Sequence, residues 1–364
     1  FASDRHEGRL DDLRSDAFTC LADGTEVVKI TDTSLTVGQV DWAVDGNFLF
    51  LVASDYGPAG TDFIGRSAGL FSVGVDGSGL TRLTGPELDL GEDGWALTVT
   101  HEGVLVNARD RGGVRLLRVS GGDVEVRGDG PAWVSGHDAQ GEAVVAVVAD
   151  QSSYGEVVLV GGGKLTDFSA DLAARPLHEL TVVADDGYPV HGWAVLPDGP
   201  GPHPVLLDIH GGPFTQFGWK PYDEAQILAA AGYAVLLANP RGSAGYGEEH
   251  GRCITGAMGQ RDAADLLQFL DGALQQLPLD ASRVGVMGGS YGGYMTAWLL
   301  ATAPSRFAAG IVERGFLDPF SFIGTSYIGW FFPEAYLGAD MTAQSPFAIV
   351  DRVTAPTLVI HSEN

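Results

Sequence analysis

The residues with the clearest chemical meaning are Gly288-Gly289-Ser290-Tyr291-Gly292. They follow an apolar run, Arg283–Met287, that reads as a strand, and they precede a run, Tyr294–Ala303, that reads as a helix. A serine between glycines at a strand-to-helix turn is the arrangement that lifts a hydroxyl above a sheet edge as a nucleophile. The turn is tight, so only glycine fits beside the serine, in sequence and across the bend. The helix that follows points its N-terminus at the site, where partial positive charge meets a developing oxyanion. That chemistry is acyl transfer to Ser290 and hydrolysis of the acyl-enzyme.

A second string, His210-Gly211-Gly212-Pro213, comes straight after the strand Pro204–Ile209. Such a nucleophile needs a second backbone N–H for the oxyanion, supplied by an early strand-to-helix loop. The N–H groups of Tyr291 and Gly212 are therefore assigned to the oxyanion hole. His210 is read as structural, because the base of this chemistry follows the serine in chain order. A third string, Asn239-Pro240-Arg241-Gly242-Ser243-Ala244-Gly245, follows the strand Tyr233–Ala238, where ligands of open α/β sheets gather. A structural role and a substrate contact are both open for Arg241. A fourth region, Glu313–Phe332, is dense in aromatic residues for a loop and holds Arg314, Phe316, Phe320, Tyr327 and Trp330. It reads either as the lining of a specificity pocket beside Ser290 or as packing. Arg314 could hold a carboxylate bidentately.

A serine nucleophile needs a histidine base oriented by a carboxylate. After Ser290 the histidine present is His361, and the nearby acids are Asp318, Asp340, Asp351 and Glu363. None stands where a triad aspartate followed by a separate histidine is expected.

The elements that must position these residues occupy the second half of the chain. Strands alternate there with helical patterns at Tyr222–Ala231 and Gln260–Leu270, after a hairpin turning at Asp186-Gly187. The alternation predicts a mostly parallel sheet with helices on both faces. The first half is different. Asn47–Ala53, Gly69–Val75, Gly103–Ala108, Arg115–Val119, Ala143–Ala149 and Glu156–Val160 are strand-length apolar runs between Gly-rich turns, with no sustained helical period. They recur irregularly at roughly 40–55 residues, which suits propeller blades better than a small sandwich.

The 364 residues suffice for two domains, placed at 1–174 and 175–364. With 45% hydrophobic residues the chain can bury large cores, and no apolar run reaches a membrane span. A net charge of −26 argues against nucleic acid and anionic membrane partners and for solubility by self-repulsion. Cys20 and Cys253, the two cysteines, give no disulfide framework and no metal-ligand spacing, and their scarcity fits a reducing cytoplasmic compartment. No cofactor or metal is expected, and no signal peptide is visible before the opening Phe1.

Four strings together carry a resemblance: His210–Pro213, Asn239–Gly247, Gly288–Tyr294 and Thr357–His361. With them the chain resembles the prolyl oligopeptidase family of serine peptidases, nearest its acylaminoacyl-peptidase branch, from about Leu177 onward. The resemblance implies an α/β-hydrolase fold preceded by a β-propeller, short peptide substrates that the propeller selects by size, and allows a homo-oligomer. It places the triad Asp just after the His361 strand and the triad His further on, beyond Asn364. The chain accordingly reads as a fragment, short of its first blades and of its C-terminal end, that would not turn over alone. The leading expectation is an oligopeptidase that releases N-acylated residues. The alternatives are a carboxypeptidase gripping the free carboxylate with Arg241 or Arg314, a carboxylesterase, and a non-catalytic interaction module.

Overall fold

The computed structural model describes residues 1–91, 97–128 and 130–362. The chain divides into two compact units, 1–172 with 245–248, and 173–244 with 249–364.

Among the described residues the regular elements of the first unit are all strands. Thr36–Trp42, Phe48–Ser54, Gly69–Gly74 and Thr81–Arg82 form a four-stranded antiparallel meander. Leu97–Thr100, Gly103–Asp110, Gly113–Ser120 and Asp123–Val126 form a second. Trp133–Gln140, Ala143–Asp150 and Ser153–Leu159 continue the pattern, tied to the second meander through the parallel pair Val114 and Trp133. Repeated meanders joined by Gly turns are the blades expected of a propeller. Leu49, Leu51, Ala53, Phe71 and Val73 of the first share one core, and Val52 and Leu70 of the first pack with Val104, Val106 and Leu117 of the second.

The second unit is built on one seven-stranded sheet. Its strands are β1 (Leu177–Val183), β2 (Pro189–Val195), β3 (His203–Ile209), β4 (Ala234–Asn239), β5 (Leu279–Gly289), β6 (Ala309–Glu313) and β7 (Thr357–Ile360), in the order β1-β2-β4-β3-β5-β6-β7. β1 and β2 form the antiparallel hairpin expected around Asp186-Gly187, and β2 is antiparallel to β4; from β4 onward every pairing is parallel. Among the described residues six α-helices connect them: α1 (Asp223–Ala230), α2 (Glu248–Arg252), α3 (Arg261–Gln276), α4 (Tyr291–Thr302), α5 (Pro319–Thr325) and α6 (Phe332–Leu337).

Alternation along the hairpin strands explains the two helical layers. Trp193, Val195, Val235 and Leu237 pack on Ala225 and Ala229 of α1. Gly192 and Val182 face α3 instead, against Phe269 and Gly272. β4 is buried along its whole length, which is why it reads as an unbroken apolar run. This is the α/β-hydrolase fold.

Several elements depart from the sequence reading. α3 runs to Gln276, past Leu270, and β5 extends from Leu279 to Gly289. α4 starts at Tyr291, three residues before the apolar pattern begins, so Ser290 alone separates strand from helix. The aromatic stretch Glu313–Phe332 is not a plain loop. Asp318 accepts from the N–H groups of Phe320 and Ser321 and starts α5, with Pro319 at its first position. No helix among the described residues is long and apolar enough to cross a membrane.

Candidate active site

The turn at Ser290 is as tight as its sequence demands. Ser290 has φ 59° and ψ −116°, a left-handed backbone that only a strongly constrained non-glycine residue keeps. Its N–H donates to Glu313 O at 3.0 Å, and its carbonyl accepts from Tyr294 N–H at 2.9 Å. A Cβ on Gly292 would lie 1.9 Å from Ile209 O, one on Gly288 2.5 Å from the same oxygen, and one on Gly293 2.5 Å from Glu313 O. Gly289 differs, because there a Cβ would meet only the mobile end of Arg314, at 3.1 Å. Three of the four glycines are thus imposed by close approach of backbone, and the fourth is not.

Tyr291 is the first residue of α4, so its N–H, with those of the next two residues, has no acceptor inside the helix. The loop after β3 runs alongside: a Cβ on Gly211 would be 3.7 Å from Ser290 Cβ and 3.6 Å from Gly289 O. Gly212 follows with φ 111°. Among the described residues its N–H is given to no other acceptor. Gly211, which the sequence reading passed over, is the glycine that sits against Ser290; two consecutive glycines after a strand were its only signal.

His210 is buried, and burial pushes its imidazole down to about 4. Its Nδ1–H donates to Gly211 O at 2.7 Å, and Nε2 faces Ser243 Oγ at 3.0 Å. A neutral ring with both nitrogens engaged holds a loop; it does not shuttle protons. Ser243, from the third string, belongs to this support.

Arg241 is a correction. The structure does not leave it free for a substrate carboxylate. Its Nε and Nη2 bind the fully buried Asp265 at 2.9 and 2.6 Å, its N–H binds the same carboxylate at 2.9 Å, and Nη1 binds Asp186 at 2.6 Å. The guanidinium lies over the Tyr188 ring. Two carboxylates and a ring consume its donors, and it ties the β1–β2 turn to α3. Phe316 is a second correction: it is buried among Tyr294, Phe322 and Phe332, as packing. Phe320, Tyr327 and Trp330 are exposed, and so is Arg314, whose N–H donates to Ile360 O and whose guanidinium lies beside Gly289.

Carboxylates near the turn carry an unusual balance. Asp208, on β3 beside Met287 of β5, is raised to about 7, first by burial and then by the charges of Glu224 and Glu313. Glu224 is itself raised, by burial and by Glu313. Asp262 at the start of α3 is fully buried and pushed up to about 6 by burial, against hydrogen bonds from Gly259, Tyr291 and Ala263 that favour its charged form. Neither Asp208 nor Asp262 was found in the sequence.

No histidine among the described residues hydrogen-bonds Ser290 Oγ. His361 is exposed at the end of β7, with Nδ1 3.1 Å from Ser362 O. Asp318 and Asp340 cap short helices, and Asp351 is exposed. Glu363 and Asn364 lie outside the described residues. Among the described residues no group of three His, Cys, Asp or Glu could hold a metal ion.

A strained serine at a strand-to-helix turn, on this sheet order, narrows the relatives to be expected, and comparison finds them. The profile of the prolyl oligopeptidase family matches residues 219–364. Over those residues the chain is similar to that family. A protein named as the uncharacterized peptidase YuxL of Bacillus subtilis (strain 168) is 39% identical over 196 residues, 51% of this chain and 30% of that one. Acylamino-acid-releasing enzyme 1 of Oryza sativa subsp. japonica is 32% identical over 173 residues, 43% of this chain and 22% of that one. The structure of the Pyrococcus horikoshii acylaminoacyl peptidase superposes with a TM-score of 0.83 at 25% identity, over 96% of this chain and 56% of that one. The chain therefore spans under a third of the matched curated proteins and about half of the archaeal enzyme.

Proposed function

We propose that this chain is the nucleophile-bearing part of a serine peptidase that cleaves short peptides through an acyl-enzyme on Ser290, and that it releases N-acylated residues. The observation that carries the reading is the backbone of Ser290, held in a left-handed conformation between β5 and the N-terminus of α4 with Gly211 against it. That geometry supports the reading because it suits a hydroxyl, with orphan N–H groups behind it, presented to a carbonyl carbon. Ser290 Oγ attacks the scissile carbonyl. The N–H groups of Tyr291 and Gly212 take the oxyanion, each worth about 3–4 kcal/mol of barrier. The base and its orienting carboxylate are assigned to the part of the longer protein that this chain does not span. The acyl preference rests on the acylamino-acid-releasing and acylaminoacyl relatives.

The test is product analysis on the full-length protein with one short peptide in free, N-acetylated and C-amidated forms. Cleavage that needs acetylation and tolerates amidation supports the proposal; cleavage of none of the three refutes the peptidase reading. A second reading, trimming from a free carboxyl end, keeps Arg314 in its favour, exposed beside Gly289; amidation would then abolish cleavage. Phe320, Tyr327 and Trp330 are proposed to contact the substrate side chain. We place the protein in the cytoplasm because cysteine is scarce in the chain, with Cys20 and Cys253 alone.

A further inference from the structure

We propose that Asp262 is a positioning residue for the oxyanion hole: through the Tyr291 hydroxyl it fixes the peptide whose N–H receives the oxyanion. The inference rests on the reading of Ser290 as nucleophile.

Tyr291 is buried, and its hydroxyl donates to Asp262 Oδ2 at 2.8 Å. Asp262 is wholly buried, and its Oδ1 is held by the N–H groups of Gly259 at 2.8 Å and Ala263 at 3.0 Å. The Tyr291 ring also lies against the His210 ring, with centroids 6.3 Å apart. One side chain thus touches the support of both oxyanion donors, Asp262 behind its own N–H and His210 ahead of Gly211 and Gly212. The same turn anchors the next two turns of α4. Tyr294 donates to Met258 O, and Trp298 Nε1–H donates to Gly259 O at 2.6 Å.

A buried carboxylate with no basic partner among its hydrogen bonds is a costly way to fill space. An apolar pair of the same volume would pack as well. What the carboxylate adds is position: three donors locate it, and a bond of fixed length transmits that location to the residue after the nucleophile. Transition-state donors lose effect steeply with small displacements, so a rigid anchor behind one of them bears on kcat.

The test compares wild type, Tyr291→Phe, Asp262→Asn and the double variant in the full-length protein. Tyr291→Phe removes one oxygen and keeps the ring, so it reports even if Asp262→Asn fails to fold. The readouts are kcat, KM, inhibition by a peptide aldehyde, whose hemiacetal oxygen occupies the oxyanion position, and thermal melting. The expected result is a kcat at least tenfold lower with KM within twofold, an aldehyde bound about tenfold more weakly, and a double variant no worse than the poorer single one. Unchanged kcat in Tyr291→Phe, or a loss in KM alone, overturns the proposal. Wild type is also treated with a fluorophosphonate. If Ser290 takes no label, the nucleophile reading falls and this inference falls with it; if it labels while Tyr291→Phe is kinetically normal, only this inference falls.

Discussion

Gly292→Ala is the sharpest perturbation that the turn allows. The new methyl carbon would stand 1.9 Å from Ile209 O. Real Cβ contacts stay beyond 3.0 Å, so something must move by about 1 Å. Ile209 cannot yield easily, because β3 is paired on both sides, to β4 and to β5, and Ile209 itself faces Gly288. The displacement therefore falls on Ser290 and the first turn of α4, which carry the proposed nucleophile and the Tyr291 N–H. A shift of about 1 Å at reacting groups costs about a hundredfold in rate. Overpacking of this kind costs about 2–3 kcal/mol of stability, or about 5–10 °C in melting temperature for a domain of this size. Gly289→Ala is the internal control, because its methyl would meet only the Arg314 guanidinium, which can swing away. The assay is kcat/KM on a cleaved peptide with thermal melting of both variants. Gly292→Ala within threefold of wild type, or Gly289→Ala as damaging as Gly292→Ala, would refute the argument from close approach.

Asp208 should make stability depend on pH. Its folded-state pKa, about 7, lies above the unfolded value, so its contribution is complete below about pH 4 and is lost as pH rises through 7. Asp208→Asn, with Glu224 and Glu313 left in place, should gain about 2.5 kcal/mol relative to wild type between pH 5 and pH 8, read as a difference in urea midpoints. Parallel pH curves for the two proteins would remove the buried-acid interpretation. Asp265→Ala leaves the buried Arg241 guanidinium without its main partner and should cost about 3–5 kcal/mol in a melting experiment. Arg314→Ala should leave melting unchanged within about 1 °C, since surface ion pairs contribute little. If it also raises KM severalfold for free-carboxylate peptides and not for amidated ones, the carboxypeptidase reading gains; equal KM changes exclude it.

How far the sequence could be read follows from what each residue answers to. The β1–β2 hairpin was legible because its turn needs the positive φ of Gly187, and the turn at Ser290 because its glycines stand together in one short string, although Ile209 O and Glu313 O are what impose three of them. The layers of the second unit were legible because strand and helix periods alternate. Helix ends were not: α4 begins at Tyr291 and runs through Gly292-Gly293, where propensity says no helix, because tertiary contact with Ile209 and Glu313 fixes the backbone there. α5 escaped because its start depends on a cap, Asp318, before Pro319, set among residues that look like loop. Arg241 was ambiguous because its partners, Asp186 and Asp265, are 55 and 24 residues away. Asp262 was invisible for the same reason, although a buried tyrosine beside the Ser290 turn needs some partner for its hydroxyl.

The most direct test of the account is to react the full-length protein with a fluorophosphonate, digest it, and locate the modification by mass spectrometry, with Ser290→Ala in parallel. The account predicts a single stoichiometric adduct on the peptide containing Ser290, none on Ser290→Ala, and loss of peptide hydrolysis in proportion to labelling. Hydrolysis that survives full modification, or an adduct on another serine with Ser290→Ala still active, would contradict it.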